Sequence, residues 1–546
     1  AFVGGNECAI AIRRTTELGF TGTIYAVNPK RDELSGVPTL KSPDDIPEAV
    51  DAAFIAVKNE PTIEVVRALA AKGCGGAVIY AAGFAETGNS ELQRKLLAAA
   101  NDMPLMGPNC YGFVNTLSRA ALWPDETGLE PVERGVALIT QSGNIACNFT
   151  MMMRGLPVAA VFSIGNQVDV GMHDMVETLS ADPRISAIGL HVEGLPDVAA
   201  FAKAAALARQ RRVPIVVLKT GRSEQGAKVA MSHTSSLAGA DTLYDALFER
   251  YGIARMKSVS AFAETLKFLH NGGPIADSRL VSLSCSGGEA SLAADTAHGR
   301  ALTFPPLNPR QLTDLRAALG PKVALANPLD YHTYIWRDTP AMTRAFSAMT
   351  DPQIDLTLLV VDYPHTDPSD WTCATDAAIG TAKNTGTRVA VVATLPELMP
   401  EETAQHLASH GVIPMHGLAE TIAAAEAAAQ SHAPDTQPLL LPGQSPATRK
   451  TDMLSEAEAK SRLAQHGLAI PAGQRATRSE LAQAAARLTA PLVLKGEGAA
   501  HKSEAGLVRL GLAPQDVATT AATMPADRFL LEEMVPGAVA ELLVGV

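Results

Sequence analysis

Short apolar runs alternate with helical stretches through the first 125 residues, a pattern typical of a parallel doubly wound α/β sheet. The candidate strands are Thr23–Val27, Ala52–Val57, Gly76–Tyr80 and Leu105–Met106. An earlier strand ends at the turn Gly4-Gly5-Asn6, where backbone N–H groups can approach a phosphate. The G-x-G-x-x-G spacing of a dinucleotide site is absent, so this turn alone does not identify the ligand.

A second pattern, strand-[ST]-x-S-G-helix, occurs twice, beginning at Thr140 and at Ser284. The strands Val136–Thr140 and Leu280–Ser284 lead into the loops Gln141-Ser142-Gly143 and Cys285-Ser286-Gly287-Gly288. Two matches in register predict two flavodoxin-like domains and are consistent with a duplication. The start of each following helix can neutralise a phosphate with free N–H groups, although an ordinary turn with an N-cap serine is the alternative.

The last part of the chain begins after a stretch rich in Pro, Gln, Ser and Thr, typical of an interdomain linker. Ser455 is the predicted N-cap of the next helix, and Glu458 completes a capping box. A strand is predicted at Pro491–Lys495. Both ends of the sequence resemble interrupted strands, so we expect it to be a fragment of a longer protein.

Composition narrows the class of protein. A chain of 546 residues with 47% hydrophobic and 19% charged residues predicts several soluble α/β domains. The net charge of −12 argues against a nucleic-acid-binding protein, and no apolar run reaches the roughly 18 residues that span a bilayer. Six scattered cysteines without a C-x-x-C pair, and no signal peptide at the start, predict a cytoplasmic location.

Two residues suggest nucleophilic chemistry. His233 lies in the small-residue loop Ser-His-Thr-Ser-Ser-Leu-Ala-Gly, which suits a nucleophile that must move. Glu193 follows a predicted strand, where ligand sites of α/β proteins gather. A carboxylate that accepts Nδ1–H from a histidine leaves Nε2 free to attack phosphorus. A satisfied loop histidine and a solvated glutamate are the alternatives.

Two further segments indicate the ligand of the first domain. Lys30 follows the second strand, where an NAD site would place a carboxylate. A lysine there favours a ligand with an additional phosphate, such as the 3′-phospho-ADP of CoA, over an ordinary turn. Gly107-Pro108-Asn109-Cys110-Tyr111-Gly112 resembles the G-P-N-C-x-G signature that closes the CoA-binding domain of nucleoside-diphosphate-forming acyl-CoA synthetases, relatives of succinyl-CoA synthetase.

The resemblance to this ADP-forming acyl-CoA synthetase family extends along the whole chain in order. It implies an α/β multidomain protein made of a Rossmann-like CoA-binding domain (1–128), a flavodoxin-like ligase domain with a phosphohistidine loop (134–271), a second flavodoxin-like ligase domain (277–432), a linker (433–450) and a truncated first lobe of an ATP-grasp domain (451–546). The family assembles as oligomers, so we expect a homodimer or homotetramer.

The resemblance also assigns roles to residues. CoA would contact Gly4, Gly5, Lys30, Asn109 and Cys110; phosphate would contact Ser142, Gly143, Ser286, Gly287 and Gly288; and ATP would contact Lys495, Glu532 and Glu533. A surface lysine and two solvated glutamates are the alternative for the ATP set. His233 would be phosphorylated and held by Glu193, and His501 would relay phosphate from ATP. The His501 loop departs from the family pattern H-K-S-D-x-G-G, since Glu504 replaces the aspartate and Ala505 one of the residues that follow it.

The implied reaction joins a small carboxylic acid to CoA through an acyl phosphate, with formation of ADP and with Mg²⁺, whose ligands are not visible in the sequence. The acid would bind near Asn166 and the aromatic residues Tyr334 and Trp336. These rings could stack on an aryl acid, contact a cationic onium acid or simply pack a core. A hydroxycinnamate ligase, a short-chain acid ligase, an ATP-dependent dimethylsulfoniopropionate lyase and a non-catalytic CoA-binding regulatory protein therefore remain alternatives.

Overall fold

The computed structural model of the protein describes residues 1–223, 225–226, 241–429, 454–497 and 506–535. These form two compact units, residues 1–439 and 440–546, which are described separately below. The fold is the predicted α/β class, with mostly parallel sheets in the first unit. The predicted linker 433–450 lies outside the described residues, so its conformation stays a prediction.

The first sheet of the large unit has seven strands in the order β3-β4-β2-β1-β5-β6-β7, parallel except for the β3–β4 pair. The strands are β1 Phe2–Gly4, β2 Ala26–Val27, β3 Glu33–Leu34, β4 Val37–Leu40, β5 Ala53–Ala56, β6 Ala77–Ile79 and β7 Leu105–Met106. The accompanying helices are α1 Asn6–Glu17, α2 Asn59–Ala71 and α3 Ser90–Ala100. The strand predicted at Thr23–Val27 is shorter than expected, because only Ala26 and Val27 pair with β1.

The second sheet also has seven strands, in the order β14-β13-β12-β10-β11-β8-β9. They are β8 Gly112–Asn115, β9 Ala120–Leu122, β10 Gly135–Thr140, β11 Val158–Ser163, β12 Ile185–Val192, β13 Ile215–Lys219 and β14 Ala254–Met256. Its helices are α4 Gly143–Thr150, α5 Met172–Leu179, α6 Val198–Gln210, α7 Asp241–Arg250 and α8 Val259–Gly272. Strand β8 pairs antiparallel with β11, so the sheet extends across the domain boundary predicted at residue 128.

The third sheet has five parallel strands in the order β16-β15-β17-β18-β19. They are β15 Leu280–Ser284, β16 Leu329–Asp330, β17 Leu356–Val360, β18 Val389–Ala393 and β19 Ile413–His416. Its helices are α9 Gly287–Ala297, α10 Pro309–Leu319, α11 Thr339–Met349, α12 Thr372–Thr385, α13 Glu401–Ser409 and α14 Leu418–Ala429. Such a strand order creates a crevice at the carboxyl ends of β15 and β17, where α/β proteins bind ligands.

A buried ionic cluster joins the second and third sheets. Lys267 of α8 donates to Glu264 at 2.8 Å and lies 2.6 Å from His416 Nδ1 at the end of β19. The Glu264 carboxylate also accepts from the His416 N–H at 2.8 Å and from Arg154 at 3.2 Å. Burial lowers the pKa of Lys267 to about 8 and that of His416 to about 3. Each charge is paired, which buried charges need in order not to destabilise the folded state.

The small unit contains a four-stranded antiparallel sheet in the order β20-β23-β21-β22. Its strands are β20 Gly473–Thr477, β21 Leu492–Gly496, β22 Val508–Leu512 and β23 Arg528–Glu533, and its helices are α15 Glu456–Gln465, α16 Leu481–Ala485 and α17 Val517–Ala522. The predicted start of α15 is confirmed, since Ser455 accepts from the Glu458 N–H and Glu458 accepts from the Ser455 N–H.

Candidate active site

A cavity of about 420 Å³ opens where the first and second sheets meet. Loops that follow β6, β7, β10, β11 and β12 line it, so the carboxyl ends of the strands surround the cavity as in other open α/β sheets. The cavity brings together several residues that the sequence singled out: Asn109, Cys110, Ser142, Gly143, Asn166 and Glu193. Residues distant in the sequence thus meet at one ligand-sized cleft.

Helix α4 directs its N-terminus into this cavity. Ser142 is the N-cap, and its Oγ accepts from the Ile145 N–H at 3.4 Å. The first-turn N–H groups of a helix have no intrahelical partner, and together with the helix dipole they favour an anion. A Cβ atom on Gly143 would lie 2.3 Å from the Tyr111 ring, so a glycine is required where this ring covers the start of the helix.

Glu193 lies beside that helix end, at the carboxyl end of β12. The adjacent Gln141 holds its backbone: Oε1 accepts from the N–H groups of Glu193 and of Gly194 (3.1 Å), and Nε2 donates to the Gly194 carbonyl at 2.7 Å. Gln141 is 9% exposed, so water competes little for these bonds. The amide fixes the carboxylate-bearing loop next to the N-terminus of α4.

His191 lies beneath the same loops and is buried. Its Nδ1 is 3.1 Å from Thr140 Oγ1, and its Nε2 is 3.3 Å from Thr220 Oγ1. Thr140 Oγ1 donates to the Ser142 carbonyl at 2.9 Å, so it accepts the Nδ1–H of His191 and leaves Nε2 to accept from Thr220. Burial, with a contribution from Lys219, lowers the pKa of His191 to about 4. A neutral imidazole therefore links β10 to the end of β13.

The predicted CoA residues lie at two places on the first sheet. Gly4 is the last residue of β1, and Gly5 is the N-cap of α1. The backbone N–H of exposed Lys30 donates to Asn28 Oδ1 at 2.9 Å, and Asn28 Nδ2 donates to the Gly4 carbonyl at 2.7 Å. Asn28 thereby connects the Lys30 turn to the glycine turn.

The loop with the G-P-N-C-x-G signature contacts the second sheet. The Asn166 N–H donates to the Pro108 carbonyl at 3.0 Å, and the Asn166 amide donates to Glu86 at 2.6 Å. Asn109 lies at the mouth, 3.4 Å from the Asn166 side chain. The Cys110 thiol points inward towards the carbonyls of Ile79 and Met106, and burial raises its pKa to about 12. Only the backbone of Cys110 can therefore contact a ligand in the cleft.

The second copy of the motif has an acidic environment. Ser286 is the N-cap of α9 but makes no side-chain capping bond, and a Cβ on Gly287 would approach Asp330 Oδ2 at 3.2 Å; Gly288 is exposed. Burial, with the nearby carboxylates of Asp362 and Asp330, raises the pKa of Glu289 to about 7. The predicted phosphate role of Ser286, Gly287 and Gly288 stays a prediction, and the three carboxylates oppose it electrostatically.

The aromatic residues predicted to contact the acid lie in the loop that follows β16. Tyr334 is 66% exposed, and its ring centroid lies 5.4 Å from that of His332. Trp336 packs edge-on against Trp371, with the ring centroids 5.8 Å apart, at the side of the third-sheet core. Trp336 thus packs against the core, which was the alternative to contact with the acid. Tyr334 is accessible to a ligand.

In the small unit, the two glutamates predicted to contact ATP lie on opposite faces of β23, and the predicted lysine, Lys495, lies on the neighbouring β21. Glu532 pairs with Lys460 at 2.6 Å and with Lys495 at 3.1 Å. Glu533 instead accepts from the Thr489 N–H at 2.7 Å, because successive strand residues point to opposite faces. Only Glu532 therefore shares a site with Lys495, and a common role for both glutamates is not supported by this geometry.

His233 and His501 lie outside the described residues, as does the remainder of the His501 loop up to Ala505. Within the described part of the chain, no group of three or more His, Cys, Asp or Glu side chains is placed to hold a metal ion. Over the same residues, no helix has the length and apolar character needed to cross a bilayer. All six cysteines are free.

Sequence reasoning missed Gln141, His191, Glu86 and the carboxylates around Glu289. Gln141 lies inside the strand-loop-helix motif, and His191 is a polar residue in an otherwise apolar strand, so the sequence contained a signal for both. Glu86 accepts from the N–H groups of Gly83 and Phe84 as well as from Asn166, and nothing in its local sequence pointed to that role.

The fold and the cleft together define an α/β protein with a ligand-sized cleft at the carboxyl ends of parallel strands, between a Rossmann-like and a flavodoxin-like sheet. Three family models match the chain in agreement with this class. They describe a CoA binding domain (residues 6–116), a succinyl-CoA ligase like flavodoxin domain (residues 133–269) and an ATP-grasp domain (residues 446–546).

Relatives identify the family. A trans-feruloyl-CoA synthase from an unknown prokaryotic organism is 30% identical over 528 residues, which cover 93% of this chain and 74% of that protein. The ADP-forming acetate–CoA ligase of Methanocaldococcus jannaschii is 33% identical over 57% of this chain and 44% of that protein. The dinucleotide-forming acetyl-coenzyme A synthetase 1 of Ca. Korarchaeum cryptofilum, solved with phosphate and ADP, has a TM-score of 0.69 and 25% identity over 78% of this chain and 94% of that chain. The chain belongs to the ADP-forming acyl-CoA synthetase family, as its motifs predicted.

Proposed function

We propose that the protein is an ADP-forming acyl-CoA ligase, which converts a carboxylic acid, ATP and CoA into an acyl-CoA, ADP and phosphate. The observation that carries the proposal is the cleft in which the N-terminus of α4 and the Glu193 loop meet the Asn109 loop of the first sheet. The start of α4, which would bind phosphate, and the domain matched by a CoA-binding model thus line one cavity. Names of relatives support the same reaction class.

The phosphoryl group would travel in steps. ATP would phosphorylate His501, His501 would pass the phosphoryl group to His233, and the carboxylate of the acid would take it from His233 as an acyl phosphate. Attack of the CoA thiol on the acyl carbon then breaks the C–O bond to phosphate and releases phosphate. Each step forms one bond and breaks one, so the covalent carrier divides a difficult transfer into easier ones.

Glu193 and α4 would act on the same phosphoryl group in different ways. The Glu193 carboxylate would accept Nδ1–H of His233 and hold the ring, so that Nε2 carries the phosphoryl group. The N–H groups at the start of α4, near Ser142 and Gly143, would compensate the negative charge of that group. His191, whose pKa of about 4 leaves the ring neutral near pH 7, adds no positive charge to this part of the site.

ATP would bind in the small unit, where Lys495 has the compact positive charge that a nucleotide phosphate requires. Lys495 is paired with Glu456 and Glu532, so a bound phosphate would compete with these carboxylates for it. Magnesium is expected for phosphoryl transfer. The carboxylates next to Lys495, those of Glu456 and Glu532, are engaged by lysines, and the described residues provide no cluster of metal ligands, so no residue is assigned to Mg²⁺ and no step depends on it.

The class of acid is the open part of the proposal. The relatives include a trans-feruloyl-CoA synthase and acetate–CoA ligases, so an aryl acid and a short-chain acid are both represented. An onium acid, as in a dimethylsulfoniopropionate lyase, and a non-catalytic regulatory role are not favoured by these relatives. Assembly as a homodimer or homotetramer and a cytoplasmic location stay predictions.

The deciding experiment incubates the protein with ATP, CoA and a panel of aryl, short-chain and onium acids. We expect stoichiometric ADP, phosphate and one CoA thioester with the preferred acid, measured by chromatography. Release of AMP, or no nucleotide turnover with any acid, would contradict the proposal. An elimination product formed after thioester formation would instead identify the lyase.

A further inference from the structure

The loop that begins at Glu193 is fixed by more than Gln141. Lys219, the last residue of β13, donates from Nζ to the Glu193 carbonyl at 2.9 Å and also to the Thr220 carbonyl. Tyr244 of α7 accepts the Leu195 N–H at its hydroxyl, at 3.3 Å. Side chains from two further elements therefore satisfy backbone groups of Glu193 and Leu195, while Gln141 satisfies those of Gly194, and all three residues have left the regular ladder of β12.

Lys219 and Tyr244 also contact each other. The Lys219 ammonium lies over the Tyr244 ring, 4.6 Å from its centroid, in cation–π geometry. The two side chains are only 4% and 7% exposed. Burial lowers the pKa of Lys219 and raises that of Tyr244. A buried ammonium whose hydrogen-bond acceptors are backbone carbonyls is costly, so its presence calls for a purpose beyond packing.

The chain positions of these residues indicate that purpose. Lys219 lies shortly before the segment that contains His233, and Tyr244 lies shortly after it. Their contact joins the two described ends of that segment at the Glu193 loop. The carbonyl of Glu193, the ammonium of Lys219 and the ring of Tyr244 thus form one continuous set of contacts.

We propose that Lys219 and Tyr244 are positioning residues. They hold the Glu193 loop in a fixed position relative to the two described ends of the segment that carries His233. The inference rests on the proposed function, in which Glu193 orients the phosphorylated histidine. Neither residue needs to touch the phosphoryl group. They would act through Glu193, because the backbone bonds that they make fix the position of its carboxylate.

A double-mutant cycle that combines Lys219→Met with Glu193→Gln tests whether the lysine acts through Glu193, and Tyr244→Phe is measured beside it. Lys219→Met keeps the aliphatic stem and removes the donors, whereas Tyr244→Phe keeps the ring and removes the hydroxyl. We expect acid-labile phosphoenzyme to form about tenfold or more slowly in Lys219→Met and about threefold more slowly in Tyr244→Phe, with KM for CoA unchanged. Lys219→Arg should recover part of the rate, because it restores a cationic donor.

In the Glu193→Gln background, Lys219→Met should change the rate by less than about twofold, since the lysine acts through the residue already altered. Fully multiplicative losses in the double mutant would overturn the proposal, and so would unchanged rates in both single variants. Lys203→Met, an exposed lysine of α6 in the same domain, is the matched control. If Lys219→Met does not fold, the milder Tyr244→Phe variant decides.

Hydrogen exchange separates this inference from the proposed function, because it requires no turnover. Amides in the peptide spanning 193–195 should exchange faster in Lys219→Met and Tyr244→Phe than in the unchanged protein, with Lys203→Met unaffected. Should no acid or nucleotide produce a phosphoenzyme, the function fails while this exchange result still supports the positioning role. Normal phosphoenzyme kinetics together with unchanged exchange in both variants would overturn the positioning role alone.

Discussion

The two strand-loop-helix motifs share a backbone arrangement but differ in their surroundings. In the first, Thr140 Oγ1 donates to the Ser142 carbonyl at 2.9 Å; in the second, Ser284 Oγ donates to the Ser286 carbonyl at 2.8 Å. Each loop then starts a helix at a glycine, Gly143 or Gly287. The same local sequence has therefore produced the same local structure twice.

Their electrostatic environments differ. The start of α4 faces a cleft with one carboxylate, Glu193, and a cation, Lys219, bonded to the carbonyl of the same residue. The start of α9 has Glu289, Asp330 and Asp362 around it. A dianionic phosphate would therefore be opposed more strongly by the second environment than by the first. A motif that provides helix N–H groups thus specifies an anion site only when its tertiary neighbours permit one.

The largest expected effect is on the rate of phosphoenzyme formation when Glu193, the carboxylate at the first motif, is replaced. Glu193→Gln should slow formation of acid-labile phosphoenzyme by about a hundredfold, because the amide does not stabilise the charged imidazole as a carboxylate does. His233→Ala should abolish the label. Rapid-quench measurements compare these rates, with the exposed Glu177→Gln of α5 as the control. Undiminished acid-labile label in His233→Ala would assign the nucleophile elsewhere.

Next in size is a matched pair of glycine substitutions. Gly143→Ala brings a Cβ within 2.3 Å of the Tyr111 ring, whereas Gly287→Ala meets only Asp330 Oδ2 at 3.2 Å. We expect Gly143→Ala to lower the free energy of unfolding by about 1–3 kcal/mol and Gly287→Ala to change it by less than about 0.5 kcal/mol. Chemical denaturation measures both. Equal losses would mean that the aromatic cover over α4 does not distinguish the motifs.

A smaller, pH-dependent effect on the free energy of unfolding is expected from Glu289 at the second motif. The pKa of Glu289 in the folded protein, about 7, lies above the ordinary value of 4.5, so the folded protein binds an additional proton between these pH values. Stability from this group is complete below about pH 4.5 and is lost as the pH rises through 7. Glu289→Gln should therefore stabilise the protein above pH 7, by at most about 1 kcal/mol after allowance for solvent screening.

Denaturation of Glu289→Gln and the unchanged protein at pH 5 and pH 8 tests this sign, with exposed Glu402→Gln as the control. A stabilisation of equal size at both pH values would indicate better packing and not relief of the buried negative charge.

The smallest difference concerns the two N-cap serines. Ser142→Ala removes the acceptor of the Ile145 N–H and should cost about 0.5–1 kcal/mol, at the low end because the bond is 3.4 Å long. Ser286→Ala removes no capping bond and should leave the free energy of unfolding almost unchanged. Thermal unfolding of the two variants is the measurement. A larger loss for Ser286→Ala would show that its hydroxyl has a role beyond capping.

Much of the fold could be predicted because its signals are local. The strands at Leu105–Met106 and Leu280–Ser284 have the predicted bounds, since each is a short, mostly apolar run followed by a turn. The capping box at Ser455 was predictable for the same reason. The pairing of the segment before residue 128 with the second sheet could not be predicted. Strand β8 pairs antiparallel with the distant β11, and β9 pairs with β8, but neither strand carries a local sign of these partners.

The candidate site was only partly predictable. The sequence by itself determined the element types, the repeated motif, the family motifs and the position of Glu193 after a strand, because these depend on neighbours along the chain. Only the tertiary structure decided that Gln141, Lys219 and Tyr244 hold the Glu193 loop, and that carboxylates surround the start of α9. These contacts join residues from different strands and helices, and the charge around a helix end is the sum of what the fold brings to it.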